Sequence, residues 1–542
     1  MKTSLVFTAV TGLASLASAG LLQPRQNETM EYGFENLKPS KDIVWTPCFD
    51  NFTCALLEVP LDYTNASAGI TTLAFTKYWS NHSDAEDVLI NPGGPGDSGV
   101  QEILNGYENL QDRIGPQYNL VGFDPRGVNN SGPNVTCFPG DPRARNNFDT
   151  QFFAPVDNST EYGLADAYQR TGAFGEWCTS VHAINGTASY VGTVAVAQDM
   201  LHYVELLAES KGCQKDDAKI YYYGTSYGTV LGATFATLYP DRLGRFVLDG
   251  NVDTENYYLS GSENGLYATN DAARSFFTYC FAAGDRCAFR QNSSSADELQ
   301  QRYLAITNTL KESPIAVASI ENQFYPALVT WQDLIGQFLS KLYQPLAMFP
   351  ILDLMLTQLE VGNATLLAAA SGKGTETVPA PVYISAETQR IVSCIDQAGR
   401  YNLSDFDKFK EHVEFVNDRS PVGGPNFPLA FGGPCRSYKI FPPENQIFPG
   451  IPGANKTSAP ILFISNTRDP VTPLRNGHLL NGLFAGSGLL TLNATGHCSL
   501  AQVSDCTAQY TRAYMANATL PPPGTVCEID VIPFQQSTAS KK

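Results

Sequence analysis

A serine with glycines two positions to either side, Gly224-Thr225-Ser226-Tyr227-Gly228, stands between an apolar β-like run, Ile220–Tyr223, and a helical run, Val230–Leu238. Strand, sharp turn and helix would lift the Ser226 hydroxyl to the top of a sheet, beside a helix N-terminus where negative charge is favoured. The glycines are needed because side chains at those positions would strike the strand and helix backbones. A serine hydroxyl is a weak nucleophile until a base takes its proton, and the base works best when an acid orients it. The chemistry on offer is therefore acyl transfer through a covalent intermediate on Ser226.

Six histidines could supply the base: His82, His182, His202, His412, His478 and His497. His497 follows the β-like run Leu489–Leu492 and a short loop near the C-terminus, the place expected of a base in this arrangement. His202 falls inside a helical pattern, His82 and His182 lie in polar stretches upstream of the serine, His412 lies in an inserted region, and His478 in a helix after Pro473. Asp469 is the candidate acid. It follows the run Ile461–Ser465 and completes the order Ser, Asp, His. Asp249, after Phe246–Leu248, is the alternative acid. The segment Asn91-Pro92-Gly93-Gly94-Pro95-Gly96 follows another β-like run, Asp87–Ile90, and its small residues let the backbone approach a substrate carbonyl. The N–H groups of Gly94 and Tyr227 would then form a two-donor oxyanion hole. The charges of Asp124-Pro125-Arg126-Gly127, at the next strand end, read as braces for the surrounding loops.

These groups all sit at the ends of apolar runs, which is where an open α/β sheet places its site. Leu73–Tyr78, Asp87–Ile90, Tyr118–Phe123, Ile220–Tyr223, Phe246–Leu248, Ile461–Ile464 and Leu489–Leu492 read as strands, with amphipathic stretches such as Val194–Glu209 between them. Short apolar strands separated by helices predict an α/β fold with a mostly parallel central sheet covered by helices on both faces. The alternation stops after Asn251. From there to about Pro460 the chain is helix-rich, with Asp271–Phe277, Asp297–Glu312, Trp331–Tyr343 and Ile351–Glu360, and reads as a large helical cap inserted over the sheet. The expected division is an N-terminal segment at 20–43, core at 44–254, cap at 255–455 and core again at 456–535.

The chain has 542 residues and a formal net charge of −18 with no basic block to offset it, which argues against nucleic acid or an anionic membrane as partner. Lys2, the apolar stretch Leu5–Leu16 and Ala17-Ser18-Ala19 have the form of a secretory signal peptide over residues 1–19, and no later stretch has the length of a membrane span. A secreted, extracellular chain with 12 cysteines is expected to form disulfides. Cys48–Cys54 and Cys280–Cys287 are the short loops best suited to them, and Cys498, beside His497, is expected in a bridge that pins the base loop. Sequons at Asn27, Asn51, Asn65, Asn158, Asn185, Asn292, Asn363, Asn402 and Asn517 fit export. No metal and no organic cofactor is implied.

Five motifs in order, Asn91–Gly96, Asp124–Gly127, Gly224–Thr229, Tyr239–Gly250 and Arg468–Pro473, resemble those of α/β-hydrolase serine peptidases of the tripeptidyl aminopeptidase and proline iminopeptidase group, over roughly Val44 to Cys506 and with a TAP-like C-terminal part. Position 91 is Asn where proline iminopeptidases often carry His. The resemblance implies an aminopeptidase that releases short N-terminal peptides or single residues. A protonated amine entering a closed pocket must meet carboxylates, and Glu255, Glu263, Asp333 and Asp396 in the inserted region are the candidates. An esterase acting on small esters with the same three residues, and a non-catalytic binding protein on a hydrolase scaffold, are the competing expectations.

Overall fold

A computed structural model of the chain describes residues 29–152, 154–320, 324–374, 383–430 and 432–535. The signal peptide expected at 1–19 lies outside them. In chain order the strands are β1 (Thr46–Cys48), β2 (Phe52–Pro60), β3 (Ile70–Tyr78), β4 (Asp87–Asn91), β5 (Asn119–Phe123), β6 (Ile220–Thr225), β7 (Leu243–Asp249), β8 (Ile315–Ser319), β9 (Phe324–Val329), β10 (Ile461–Arg468), β11 (Gly488–Thr495) and β12 (Val526–Glu528). Ten of them form one sheet in the order β1-β2-β3-β5-β4-β6-β7-β10-β11-β12. The β1–β2, β2–β3 and β3–β5 pairs are antiparallel, and every pair from β5 to β12 is parallel.

Period-two alternation divides the sheet's side chains between two cores. Leu89, Val121, Tyr222, Phe246 and Phe463 face one side, against Val196, Met200, Leu231 and Phe235 of the helices Thr193–Ser210 and Tyr227–Leu238. Val88, Leu120, Tyr223, Val247 and Leu462 face the other, against Val100, Ile103 and Leu110 of Gly99–Ile114 and Tyr514 and Met515 of Asp505–Asn517. Burial on both faces is why β4 and β5 are buried throughout and read as unbroken apolar runs. This is the α/β-hydrolase fold, with the sheet and its two helical layers as expected from the sequence.

Between β7 and β10 the helices Thr269–Ala283, Ala296–Glu312, Trp331–Lys341 and Pro345–Glu360 enclose an aromatic core of their own around Phe276, Phe277, Phe338 and Phe349. The antiparallel hairpin β8–β9 lies within this segment and is an addition to its expected helical character. The helices Pro142–Phe152 and Glu161–His182, which lie between β5 and β6, belong to the same layer in space. Leu164 and Ala167 pack against Leu403, Phe409, Val413 and Leu429.

Disulfides join Cys48–Cys54 and Cys280–Cys287, the two short loops expected, and also Cys137–Cys178, Cys394–Cys435 and Cys506–Cys527. The expectation of a bridge at Cys498 is corrected: Cys498 is a free, buried thiol and Cys213 a free, exposed one. Gly250, at φ +71°, explains it. A Cβ built there would lie 2.3 Å from the Cys498 sulfur, so the thiol fills the space that glycine leaves and points inward, where no other cysteine reaches it. No helix among the described residues is long and apolar enough to cross a membrane.

Candidate active site

Ser226 ends β6 and starts the helix Tyr227–Leu238, at φ +56° and ψ −124°, a region that costs a non-glycine residue on the order of 1–3 kcal/mol. The flanking glycines are sterically required. A Cβ on Gly224 would lie 2.5 Å from the Gly228 carbonyl oxygen, and one on Gly228 2.7 Å from the Asn91 carbonyl oxygen. The Ser226 N–H donates to the Asp249 carbonyl at 3.0 Å, which ties the turn to the end of β7.

Asp469 follows β10 and is fully buried. Its Oδ1 accepts from the backbone N–H groups of Val471 at 3.0 Å and Thr472 at 2.8 Å, and its Oδ2 from that of Cys498 at 2.8 Å. His497 follows β11, and its Nδ1 is 3.1 Å from both Asp469 oxygens. Since an ionised carboxylate only accepts, Nδ1 carries the proton and Nε2 is left as the acceptor. Burial pushes the Asp469 carboxyl up. The His497 charge, the His497 hydrogen bond and the N–H groups of Val471 and Cys498 outweigh that and hold it below the ordinary carboxylate value. Thr472 Oγ1 also lies 3.1 Å from Nδ1.

The alternative acid takes a different role. Asp249 accepts from the Ser499 N–H at 2.8 Å, the Ser499 hydroxyl at 2.6 Å and the Tyr223 hydroxyl at 3.0 Å, so it braces the residues after His497. Desolvation raises its carboxyl despite those bonds. Among the other histidines, His182 bonds the Val135 carbonyl, His202 meets the Tyr63 ring edge-on and His412 bonds the Tyr401 hydroxyl. Asp124 and Arg126 are braces, as read from the sequence: Asp124 accepts from Ser98, Val100 and Asn130, and Arg126 grips Asp199 through two nitrogens at 2.7 Å.

A cavity of about 190 Å³ opens on Ser226 and is lined by Gly94 and Tyr227 as well. The Gly93 N–H is taken by Asn91 Oδ1 at 3.0 Å, whereas the N–H groups of Gly94 and Tyr227 have no acceptor among the described residues. The rest of the lining includes the polar Asp253, Asn256 and Ser262 and the apolar Leu339, Phe427 and Val471. Of the four carboxylates expected to meet a substrate amine, none lines this cavity. Glu255 is exposed on the helix Thr254–Leu259, and Glu263 is half-buried with one carboxylate oxygen left without a partner. Asp333 caps the helix Trp331–Lys341 and pairs with Lys373 at 2.7 Å. Asp396 is buried behind Tyr257 and accepts from Thr193 and Tyr257; burial raises its carboxyl to about 6.

The carboxylate that does line the cavity is Asp253, which the sequence reading missed. It accepts from the Asn256 N–H at 3.1 Å and Asn264 Nδ2 at 2.7 Å and pairs with no cation among the described residues. Its signal was its place, a few residues beyond the end of β7, in a strand-end loop like those of Asp469 and Gly94. Tyr343 was also missed. Its carbonyl accepts the His497 N–H at 2.9 Å and its ring meets the imidazole edge-on at 4.8 Å. One further cluster is present: a ligand atom from each of Asp469, His497 and Cys498 lies within 4.8 Å of the others.

Residues 435–527 match a family model described as TAP-like protein. The chain is similar to serine protease Hip1 of Mycobacterium tuberculosis, at 28% identity over 505 residues, 90% of this chain and 92% of that one. It is similar at 24% identity to the tripeptidyl aminopeptidase of Streptomyces lividans, over 82% of this chain and 77% of that one. Carboxylesterase B of Mycobacterium tuberculosis is also 24% identical, over 88% of this chain and 86% of that one. These relatives agree with the resemblance carried by the five motifs. With its ten-stranded sheet, its TAP-like C-terminal region and relatives of these kinds, the chain is a hydrolase of the α/β-hydrolase fold.

Proposed function

We propose that this chain is a secreted serine aminopeptidase, with residues 44–254 and 456–535 as its core and 255–455 as its cap. The observation that carries the reading is the convergence on one cavity of a strained serine and, among the described residues, two unpaired backbone N–H groups and a carboxylate without a counter-ion, with His497 oriented by Asp469. In this mechanism His497 Nε2 takes the Ser226 proton as Oγ attacks the carbonyl carbon. Asp469 stabilises the imidazolium that results, and the N–H groups of Gly94 and Tyr227 receive the oxyanion. His497 then protonates the leaving amine, and water attacks the acyl-enzyme by the reverse sequence.

Asp253 supports the aminopeptidase assignment over a generic hydrolase. A protonated amine loses several kcal/mol of hydration on entering a cavity of this size unless a carboxylate receives it, and Asp253 is placed to do so. The five disulfides and the leader-like residues 1–19 support export. A second reading, a carboxylesterase with the same three residues, is favoured by the apolar wall of Leu339, Phe427 and Val471. Comparing kcat/KM for a short peptide substrate and its N-acetylated twin separates them. The aminopeptidase reading expects the free amine to be preferred by at least about tenfold, and Asp253→Asn to erase the preference through KM. Equal rates on both twins would assign the esterase.

A further inference from the structure

The free, buried thiol of Cys498, next to His497 in the base loop, is a nucleophile that the mechanism leaves unused. We propose that Asp469, His497 and Cys498 form a three-donor site for a soft divalent cation such as zinc or cadmium, and that its occupation switches the hydrolase off. This rests on His497 being the base. The donors are one carboxylate oxygen, one imidazole nitrogen and the thiol sulfur, all within 4.8 Å of one another, and Nδ1 is the nitrogen that lies beside the carboxylate. In a tetrahedral zinc site with metal–ligand distances of about 2.0–2.3 Å, donor atoms stand about 3.3–3.8 Å apart, so the widest pair has to close by about 1 Å. Asp469 and His497 are already closer, at 3.1 Å. The fourth position falls to water or to Thr472 Oγ1, which lies 3.1 Å from the same nitrogen.

The surroundings suit a cation. The Asp469 carboxylate is fully buried, and the Asp249 carboxylate adds to the negative field at Cys498. A thiolate, an imidazole and one carboxylate together select zinc or cadmium over magnesium and calcium, which take oxygen ligands. The proton balance is specific. The cation replaces the thiol proton of Cys498, which leaves to solvent. It also takes the lone pair of Nδ1, so the single proton of the neutral imidazole moves to Nε2. With Nε2 protonated, the ring can no longer accept from Ser226, and the Asp469–His497 hydrogen bond is gone. The cation thus fixes the unproductive tautomer.

The test uses the full-length protein carrying Cys213→Ala, which removes the exposed thiol, with and without Cys498→Ser. Cadmium and zinc are titrated while hydrolysis of a chromogenic ester, the ultraviolet sulfur-to-cadmium charge-transfer band and proton release are followed. In the Cys213→Ala protein the band should saturate at one cadmium per chain, with one proton released and activity lost in parallel, and a chelator should restore it. Magnesium should do nothing. Cys498→Ser should abolish the band and raise the inhibitory concentration by at least about tenfold, the least that loss of even an outer-shell partner of a metal ligand brings. If Cys498→Ser does not fold, protection of Cys498 from alkylation by one equivalent of cadmium in the parent takes its place. Equal sensitivity with and without the thiol, absence of the band, or absence of protection overturns the site; a saturated band with full activity overturns the switch. Fluorophosphonate labelling of the metal-free protein reports separately on Ser226, so a failure of the catalytic reading is not mistaken for a failure of the metal site.

Discussion

Replacing Asp469 by Asn perturbs the base loop at one atom, and the consequence can be worked from its hydrogen bonds. Asp469 Oδ1 accepts two backbone N–H groups, from Val471 and Thr472, while Oδ2 accepts one, from Cys498. An asparagine keeps its carbonyl oxygen where two donors meet it, so the amide nitrogen takes the place of Oδ2. There it faces the Cys498 N–H, donor against donor, and presents a donor to His497 Nδ1. The imidazole answers by carrying its proton on Nε2, the nitrogen that should receive the Ser226 proton. Loss of the correct tautomer lowers kcat by about 10⁴-fold in a triad of this kind, equivalent to about 5–6 kcal/mol of transition-state stabilisation. Asp249→Asn disturbs only the bonds to Ser499 and Tyr223, so it should cost about 1–3 kcal/mol of stability and less than about tenfold in kcat. The assay is kcat on a chromogenic ester for both variants, with thermal unfolding to show that each is folded. An Asp469→Asn enzyme within tenfold of the parent, or an Asp249→Asn enzyme that is the more impaired, would falsify the assignment.

Ser226→Ala should abolish turnover and fluorophosphonate labelling while leaving the unfolding midpoint unchanged or raised, since the strained serine contributes little packing; a labelled peptide elsewhere in a digest counts against it. Removing the Cys394–Cys435 bridge, with a sequence separation of 41, should cost about 4 kcal/mol by chain entropy, against about 2 kcal/mol for Cys280–Cys287, with a separation of 7. Denaturant unfolding of the paired Ala variants checks that ranking. Burial holds the His412 imidazole down to about 4 from 6.5. The unfolded chain therefore binds the proton first as the pH falls, and stability that is fully present above about pH 6.5 is lost down to about pH 4, by up to about 3 kcal/mol. His412→Gln should flatten that part of a stability–pH profile; an unaltered slope would assign the acid sensitivity to other groups.

Most of the strands that could be read from the sequence are buried on both faces. β3, β4, β5, β6, β7 and β10 announce themselves as apolar runs because neither side of the sheet meets water over most of their length, and β11, half-buried on one face, shows through its leucines. β2 did not, because it lies near the edge and carries Glu58 in an alternating pattern, and β12, at three residues, is too short for any period. The helix Glu161–His182 was missed because its buried face is completed by residues more than 200 positions away, such as Leu403 and Phe409. The same division runs through the site. Ser226, Asp469, His497 and Gly94 follow apolar runs and are visible from local pattern. Asp253 also lies in a strand-end loop, but no motif surrounds it, and Tyr343 matters only because the inserted segment docks over the sheet, which nothing local to it says. Cys498 shows the limit of reasoning from cysteine counts: whether a thiol pairs depends on which way a single left-handed residue, at φ +62°, turns its side chain.

The bond from the His497 N–H to the Tyr343 carbonyl ties the loop that holds the base to a residue of the inserted segment, just beyond the helix Trp331–Lys341. Leu339 and Tyr343 of that segment also line the cavity. The residues that bound the cavity on this side are therefore the ones that support the imidazole, so a substitution that shifts the wall also shifts the proposed proton acceptor. Cavity shape and readiness for chemistry thus share one hydrogen bond.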